Sequence, residues 1–164
     1  MGNASLQEEK QLVVLNLGAE AYGVDIGSVR EIIRMQDITR VPRTPSFVEG
    51  VINLRGKVIP VVNLRERFCL PAAKQSKDSR IVVVDTGGQD IGMIVDSVTE
   101  VLRIPSSVVE PVSNVLVTTA AEYLTGIAKL KDRLIILLDL NQVLSQSEKG
   151  ALAGKVPVAA LAGR

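Results

Sequence analysis

An all-β protein made of two small five-stranded antiparallel barrels, packed around a shared hydrophobic seam, is the fold class predicted by three features of this chain. The first is a repeated hairpin. Gly50–Leu64 (GVINLRGKVIPVVNL) and Gly126–Leu140 (GIAKLKDRLIILLDL) each open on a glycine, run apolar to Leu54 or Leu130, turn on charged residues and run apolar again. The second is a repeated segment upstream of each hairpin. Gly23–Arg34 (GVDIGSVREIIR) aligns without gaps on Gly92–Arg103 (GMIVDSVTEVLR), sharing the glycine, Ser28/Ser97, Val29/Val98, Glu31/Glu100 and Arg34/Arg103. Two segments repeated in the same order mark a duplicated β unit. The third is texture: apolar runs are short, rich in Val and Ile, and broken by turn residues, which is the pattern of strands.

Read in order, the first copy carries strands near Gln11–Leu17, Ala21–Asp25, Val29–Met35, Val48–Leu54 and Lys57–Val62. The second carries Ser79–Asp85, Gln89–Val95, Val98–Ile104, Leu124–Leu130 and Arg133–Asp139. With no long helical stretch between them, five and five strands suit barrels, whose closure removes the open edges such Val-rich strands would expose. The first barrel is expected at about 11–73 and the second at about 79–145, with strands free to exchange between them; Lys74–Asp78 is the linker. Asn63 can cap a short helix at Leu64–Phe68, and Asp139 or Asn141 another at Leu140–Glu148. Pro60 cannot donate to a ladder and therefore implies an edge or a bulge. Residues 146–164, Ala/Gly-rich and without sustained periodicity, are expected to be a helix end followed by a mobile tail.

Composition removes several function classes. Its 164 residues, 46% hydrophobic, suffice to bury a core. Nineteen basic and 18 acidic side chains leave a net charge of +1, which is no footprint for nucleic acid. Two Phe, two Tyr and no Trp leave little for bases to stack on. The absence of histidine removes imidazole bases, Ser-His and Cys-His nucleophile pairs and His metal ligands. A single cysteine, Cys69, allows no internal disulfide or thiolate cage and reads as a small buried hydrophobe. No cofactor is implied. The polar start lacks a secretion signal, Leu6 spoils a myristoylation start, and the apolar runs are too short to span a bilayer, so a cytoplasmic protein is expected.

Candidate chemistry is sparse. Ile81–Gly87 (IVVVDTG) resembles the strand on which retroviral-type aspartic proteases carry their carboxylate, which would make Asp85 catalytic. That mechanism needs two such carboxylates sharing a proton, and the matched position in the first copy is Asn16-Leu17-Gly18, so only a homodimer could work. Asp85-Thr86-Gly87-Gly88 is equally a hairpin turn. Gly87–Gly92 is followed by a strand rather than a helix, so it cannot cradle phosphate. Asp25, Asp90 and Asp96 read as solvated strand ends. Arg55, at a hairpin tip beside Gly56, is suited to bidentate capture of a partner's carboxylate. Val29 and Glu31, repeated as Val98 and Glu100, are expected to share a strand face at period two.

Tyr22–Ile26 (YGVDI), Val29–Ile32 (VREI), Thr44–Pro60 (TPSFVEGVINLRGKVIP) and Tyr123–Gly126 (YLTG) resemble the CheW family of bacterial chemotaxis coupling proteins, over about Gln11 to Ser145. The resemblance implies two five-stranded barrels and a non-catalytic adaptor. Its implied partners are the cytoplasmic tip of a chemoreceptor coiled coil and the regulatory domain of the histidine kinase CheA. Receptor-groove positions carried over by the motif are Val29, Glu31, Gly50, Arg55, Val98 and Val101, with kinase contacts at the outer barrel ends. An excised CheA regulatory domain is the alternative within the family. No catalytic residue, metal, nucleic acid or direct membrane insertion is implied.

Overall fold

Each strand of the first half finds part of its partnership in the second half, and this reciprocal exchange defines the architecture. The structure, a computed structural model, describes residues 9–68, 70–71, 74–111, 124–140 and 142. In chain order its strands are β1 (Glu9–Leu17), β2 (Glu20–Asp25), β3 (Val29–Arg34), β4 (Val48–Leu54), β5 (Lys57–Asn63), β6 (Arg80–Asp85), β7 (Asp90–Val95), β8 (Ser97–Pro105), β9 (Val109–Glu110), β10 (Leu124–Lys129) and β11 (Leu134–Leu138). One helical turn, α1 (Leu64–Arg67), is capped by Asn63, whose side chain accepts from the Glu66 N–H as the sequence implied. The proposed second helix and the tail lie outside the described residues, as does Cys69.

One sheet has the order β8-β1-β2-β11-β10-β9 and the other β3-β6-β7-β5-β4. The duplication maps β1–β5 onto β6, β7, β8, β10 and β11, so each sheet combines strands of both copies in one shared order. Pairing is not wholly antiparallel as expected. At the junction of copies, β2 pairs parallel with β11 and β5 pairs parallel with β7. These sheets are mixed because the exchanged strands meet only there. The chain passes between the sheets twice, from β2 to β3 and from β7 to β8.

Bulges repeat as faithfully as strands. Register slips fall at Arg30 in β3 and at Thr99 in β8, and again at Glu49 in β4 and Thr125 in β10, which are matched positions of the two copies. Each adds twist and bends its strand. Pro60 lies inside β5 rather than at an edge. It is opposite Val51 of β4, and the ladder to β7 begins only at Val61, so the missing donor is lost from neither pairing. The short strand β9 and the Thr39–Val51 bridge, one flanking each hairpin, were not foreseen.

Three apolar clusters follow from alternation along doubly buried strands. Leu12, Val14, Ile104, Ala128, Ile135 and Leu137 pack within the six-stranded sheet. Ile52, Ile59, Val61, Ile81, Val83 and Ile94 pack within the five-stranded one. The largest cluster joins them: Val13, Leu15, Leu17, Val24 and Leu138 meet Val62, Leu64, Val82, Val84, Ile91, Met93 and Val95. Successive residues of β1 or β6 thus serve different cores, which explains why VVL and IVVV read as unbroken apolar runs. Leu15 is fully buried at this seam. Leu15→Ala is expected to cost about 3 kcal/mol by leaving a cavity between the sheets. Urea unfolding followed by circular dichroism should show a lower midpoint in one transition; two separated transitions would contradict a shared core.

Candidate functional site

The bulge at Arg30 decides where the sequence-predicted residues point. Opposed residues on neighbouring strands share a sheet face. Val29 lies opposite Val84, on the seam face, whereas Glu31 lies opposite Val83, on the inner face of the five-stranded sheet. The two therefore do not share a face at period two; the extra residue Arg30 switches it. The second copy repeats the switch: Val98 is opposite Leu15 on the seam face, Glu100 opposite Val14 on the inner face, and Val101 opposite Val13 on the seam face again.

Glu31, on edge strand β3, is brought to Arg55 at the tip of the β4–β5 hairpin, where the guanidinium forms a salt bridge with its carboxylate. Two predicted residues are thus partners of each other. Arg55 remains exposed (69% of its side chain) and Glu31 less so (30%), leaving guanidinium surface for further contacts. Arg55 has φ 53° and Gly56 φ 84°, the pair of left-handed residues a two-residue turn between Leu54 and Lys57 requires, and Asn53 Oδ1 accepts from the Gly56 N–H at 2.8 Å. Asn, Asp or Gly is usual at the first of these positions. An arginine held there is an outlier of the kind that gathers at functional sites.

The second sheet has a matching pair: Arg133, at the β10–β11 tip, meets Glu100 of β8 at 2.6 Å. Exposed apolar side chains duplicate too. Ile32 (38% exposed) matches Val101 (53%), and Val58 (67%) matches Leu134 (60%). Ile32 is opposite Val82, and alternation from Val62 and Leu138 puts Val58 and Leu134 on the seam-facing sides as well. These are margins of the seam that the opposite sheet leaves uncovered. Of these four, the sequence reading named only Val101. Sliding one copy on the other would have found Ile32, because the two positions align.

Gly50 is a correction. It was expected to admit a partner's side chains, but it is buried, and a Cβ there would meet the Thr39 carbonyl oxygen at 2.1 Å. Its φ of 147° and its place in the β4 bulge fit it to Thr39, whose N–H and C=O pair with Val51 at 2.9 and 2.8 Å. It seats the molecule's own loop.

The scattered aspartates are not simply solvated. Asp25 accepts from the Gly27 N–H at 2.8 Å. Asp90 receives Arg30 at 2.6 Å and Lys57 at 3.2 Å. Asp96 accepts a fork from Arg65 (Nε 2.9 Å, Nη2 2.6 Å) and the Gly18 N–H at 2.8 Å. Asp85 occupies the β6–β7 turn, accepting from the Gly88 N–H at 2.9 Å and from Arg30 at 3.1 Å, so its role is that of a turn residue. Among the described residues no group of His, Cys, Asp and Glu could hold a metal. None of their helices is long and apolar enough to cross a membrane. A cleft of about 330 Å³ is lined by Lys10, Leu12, Gly23, Asp25, Ser28, Thr125 and Leu137 to Asp139, and one of about 280 Å³ by Gln36 to Ile38, Arg40, Glu49 and Gln75. Neither includes the six predicted residues.

A duplicated all-β module whose charged and apolar features converge on exposed seam margins defines a protein-docking scaffold. Comparison with known proteins agrees. Residues 11–148 match the model of the CheW-like domain, and the chain belongs to that family, whose members are non-catalytic chemotaxis scaffolds rather than enzymes. The chemotaxis protein CheW of Klebsiella aerogenes is 37% identical over 147 residues, covering 90% of this chain and 88% of that protein. The CheW of Helicobacter pylori is 38% identical, covering 85% and 84%. The crystal structure of the scaffolding protein TtCheW from Thermoanaerobacter tengcongensis superposes with a TM-score of 0.79 at 43% identity, covering 86% of this chain and 96% of that one.

Two outcomes follow for this region. Gly50→Ala should destabilise the fold by about 3 kcal/mol, since both the backbone conformation and the contact with Thr39 oppose a side chain; a thermal melt within a degree of wild type would remove Gly50 from this role. The Arg65 guanidinium, aided by the Gly18 N–H, holds the Asp96 carboxyl below its ordinary 3.8. A depressed carboxylate adds stability that is complete above the unfolded value and is lost as pH falls through the folded one. Asp96→Asn should therefore lower stability at pH 7 and flatten the acid limb below about pH 4, measured as urea midpoints from pH 2 to 7.

Proposed function

We propose that this chemotaxis adaptor couples chemoreceptors to the histidine kinase CheA by holding the receptor's helical tip along the open margin of the seam. The supporting observation is the juxtaposition there of exposed apolar side chains and the Glu31–Arg55 pair. A helical hairpin buries its apolar stripe in such a groove, and charges at the rim set its register. Val29, Val98 and Val101 form the floor and Arg55 the rim, with Glu31 holding the guanidinium in reach. Gly50 acts at one remove, by seating the 37–46 loop behind the hairpin. The regulatory domain of CheA docks at the outer ends of the sheets, and the assembly sits in the cytoplasm at receptor arrays. A specific contact of this kind need bury only about 800 Å² on each partner. Because the adaptor makes no bond and breaks none, its output is geometric: a small receptor displacement biases the kinase between conformations through a coupling of about 1–3 kcal/mol.

Arg55→Asp should weaken binding of a receptor signalling fragment about tenfold or more, equivalent to roughly 1.4 kcal/mol, while the melting temperature stays nearly unchanged, since Asp tolerates the left-handed turn. Val101→Asp should act in the same direction. Unaltered binding by both variants, read by calorimetry, would overturn the receptor assignment; a collapse in melting temperature would make Arg55 structural.

A further inference from the structure

The two passages between sheets are equivalent in the duplication but built differently. At the β7–β8 passage, Asp96 is gripped by the Arg65 fork, accepts from the Gly18 N–H, and donates its own N–H to Asn16 O at 3.0 Å. Arg65 also donates to the Pro71 carbonyl at 2.7 Å. One carboxylate thereby ties α1 and the end of β7, in one sheet, to the β1–β2 turn of the other. At the β2–β3 passage, the matched position is Gly27, which carries no side chain. The Asp25 carboxylate there bonds the Gly27 N–H, within its own 3-10 turn. This passage also borders the cleft of about 330 Å³, whose walls include Lys10, Asp25, Ser28, Thr125 and Asp139.

Packed cores resist displacement, whereas open volume beside a thinly bonded segment permits it. We propose that the seam works as a hinge, fixed at the Asp96–Arg65 clamp and opening at the Asp25–Ser28 passage. The hinge belongs to the fold whatever docks on it. Its link to signalling alone rests on the receptor reading above: Val29 directly follows Ser28, so a helix bedded on Val29 meets the compliant end of the seam.

Four amides test the hinge without any partner, because each is hydrogen-bonded and differs chiefly in where it lies. Gly18 and Asp96 sit at the clamp; Gly27 and Val29, which donate to Asp25 Oδ1 and to Ile26 O, sit at the compliant passage. Hydrogen exchange of the wild-type chain, followed by nuclear magnetic resonance, should show Gly27 and Val29 exchanging about tenfold faster or more than Gly18 and Asp96. Arg65→Gln leaves Asp96 and its bond to Gly18 in place but removes the fork. It should accelerate the two clamp amides by about tenfold and leave Val83, in the five-stranded core, unchanged. Equal rates at both passages in the wild type overturn the proposal, and this comparison needs no variant to fold. Acceleration of Val83 in step with the clamp amides overturns it too, since that pattern is global loosening. Because no receptor fragment is present, failure here is distinguishable from failure of the docking reading.

Discussion

The seam core is the constraint on which everything else depends. Val13, Leu15 and Leu17 from one sheet and Val82, Val84 and Met93 from the other remove each other's surface from water. Burying such side chains contributes about 1.5–3 kcal/mol each before entropy is counted. Neither sheet has a second face to spare for this, because its opposite face already encloses a core of its own. The strands are therefore apolar on both sides, and the only apolar atoms left to solvent in quantity lie where one sheet overhangs the other.

Those overhangs make the scaffold useful. A single closed lobe of this size would hide its apolar residues; two lobes meeting along a finite seam must leave margins. The duplication places matching residues at both: Ile32 and Val101, Val58 and Leu134, with a Glu–Arg pair drawn from edge strand and hairpin tip in each sheet. The ion pairs are largely exposed and worth little to stability. Their effect is positional, since each binds a hairpin tip to the far edge of its own sheet.

Much of the fold was legible in the residues, and what was not has physical reasons. Strand positions came through because Val/Ile runs and turn residues are local signals; the β4 span expected at Val48–Leu54 is the span found. Asn63 as a cap and Asp85 as a turn residue are local in the same sense. Partnership is not local. Nothing in the spacing of Leu138 and Val24 shows that they lie side by side in parallel strands. Bulges were invisible for a related reason: whether Arg30 is an extra residue depends on the register of β6, and that one residue moves Glu31 to the other face. Gly50 was misread because its neighbour, Thr39, comes from a loop without periodicity. Asp96 was passed over because its partner Arg65 is a helix residue with no positional signature.

The reciprocal exchange of strands also governs how the molecule can come into being. The six-stranded sheet takes β1 and β2 from near the start of the chain and β11 from near its end, and β2 has its inner neighbour only when Leu134–Leu138 exists. On a translating ribosome the early strands must therefore wait, Val-rich and half-paired, until almost the whole message has been read. Contacts of such long sequence separation fold slowly and expose sticky intermediates. A design that spreads two cores across both halves of a gene trades early, piecewise maturation for a product whose lobes cannot come apart without unravelling each other.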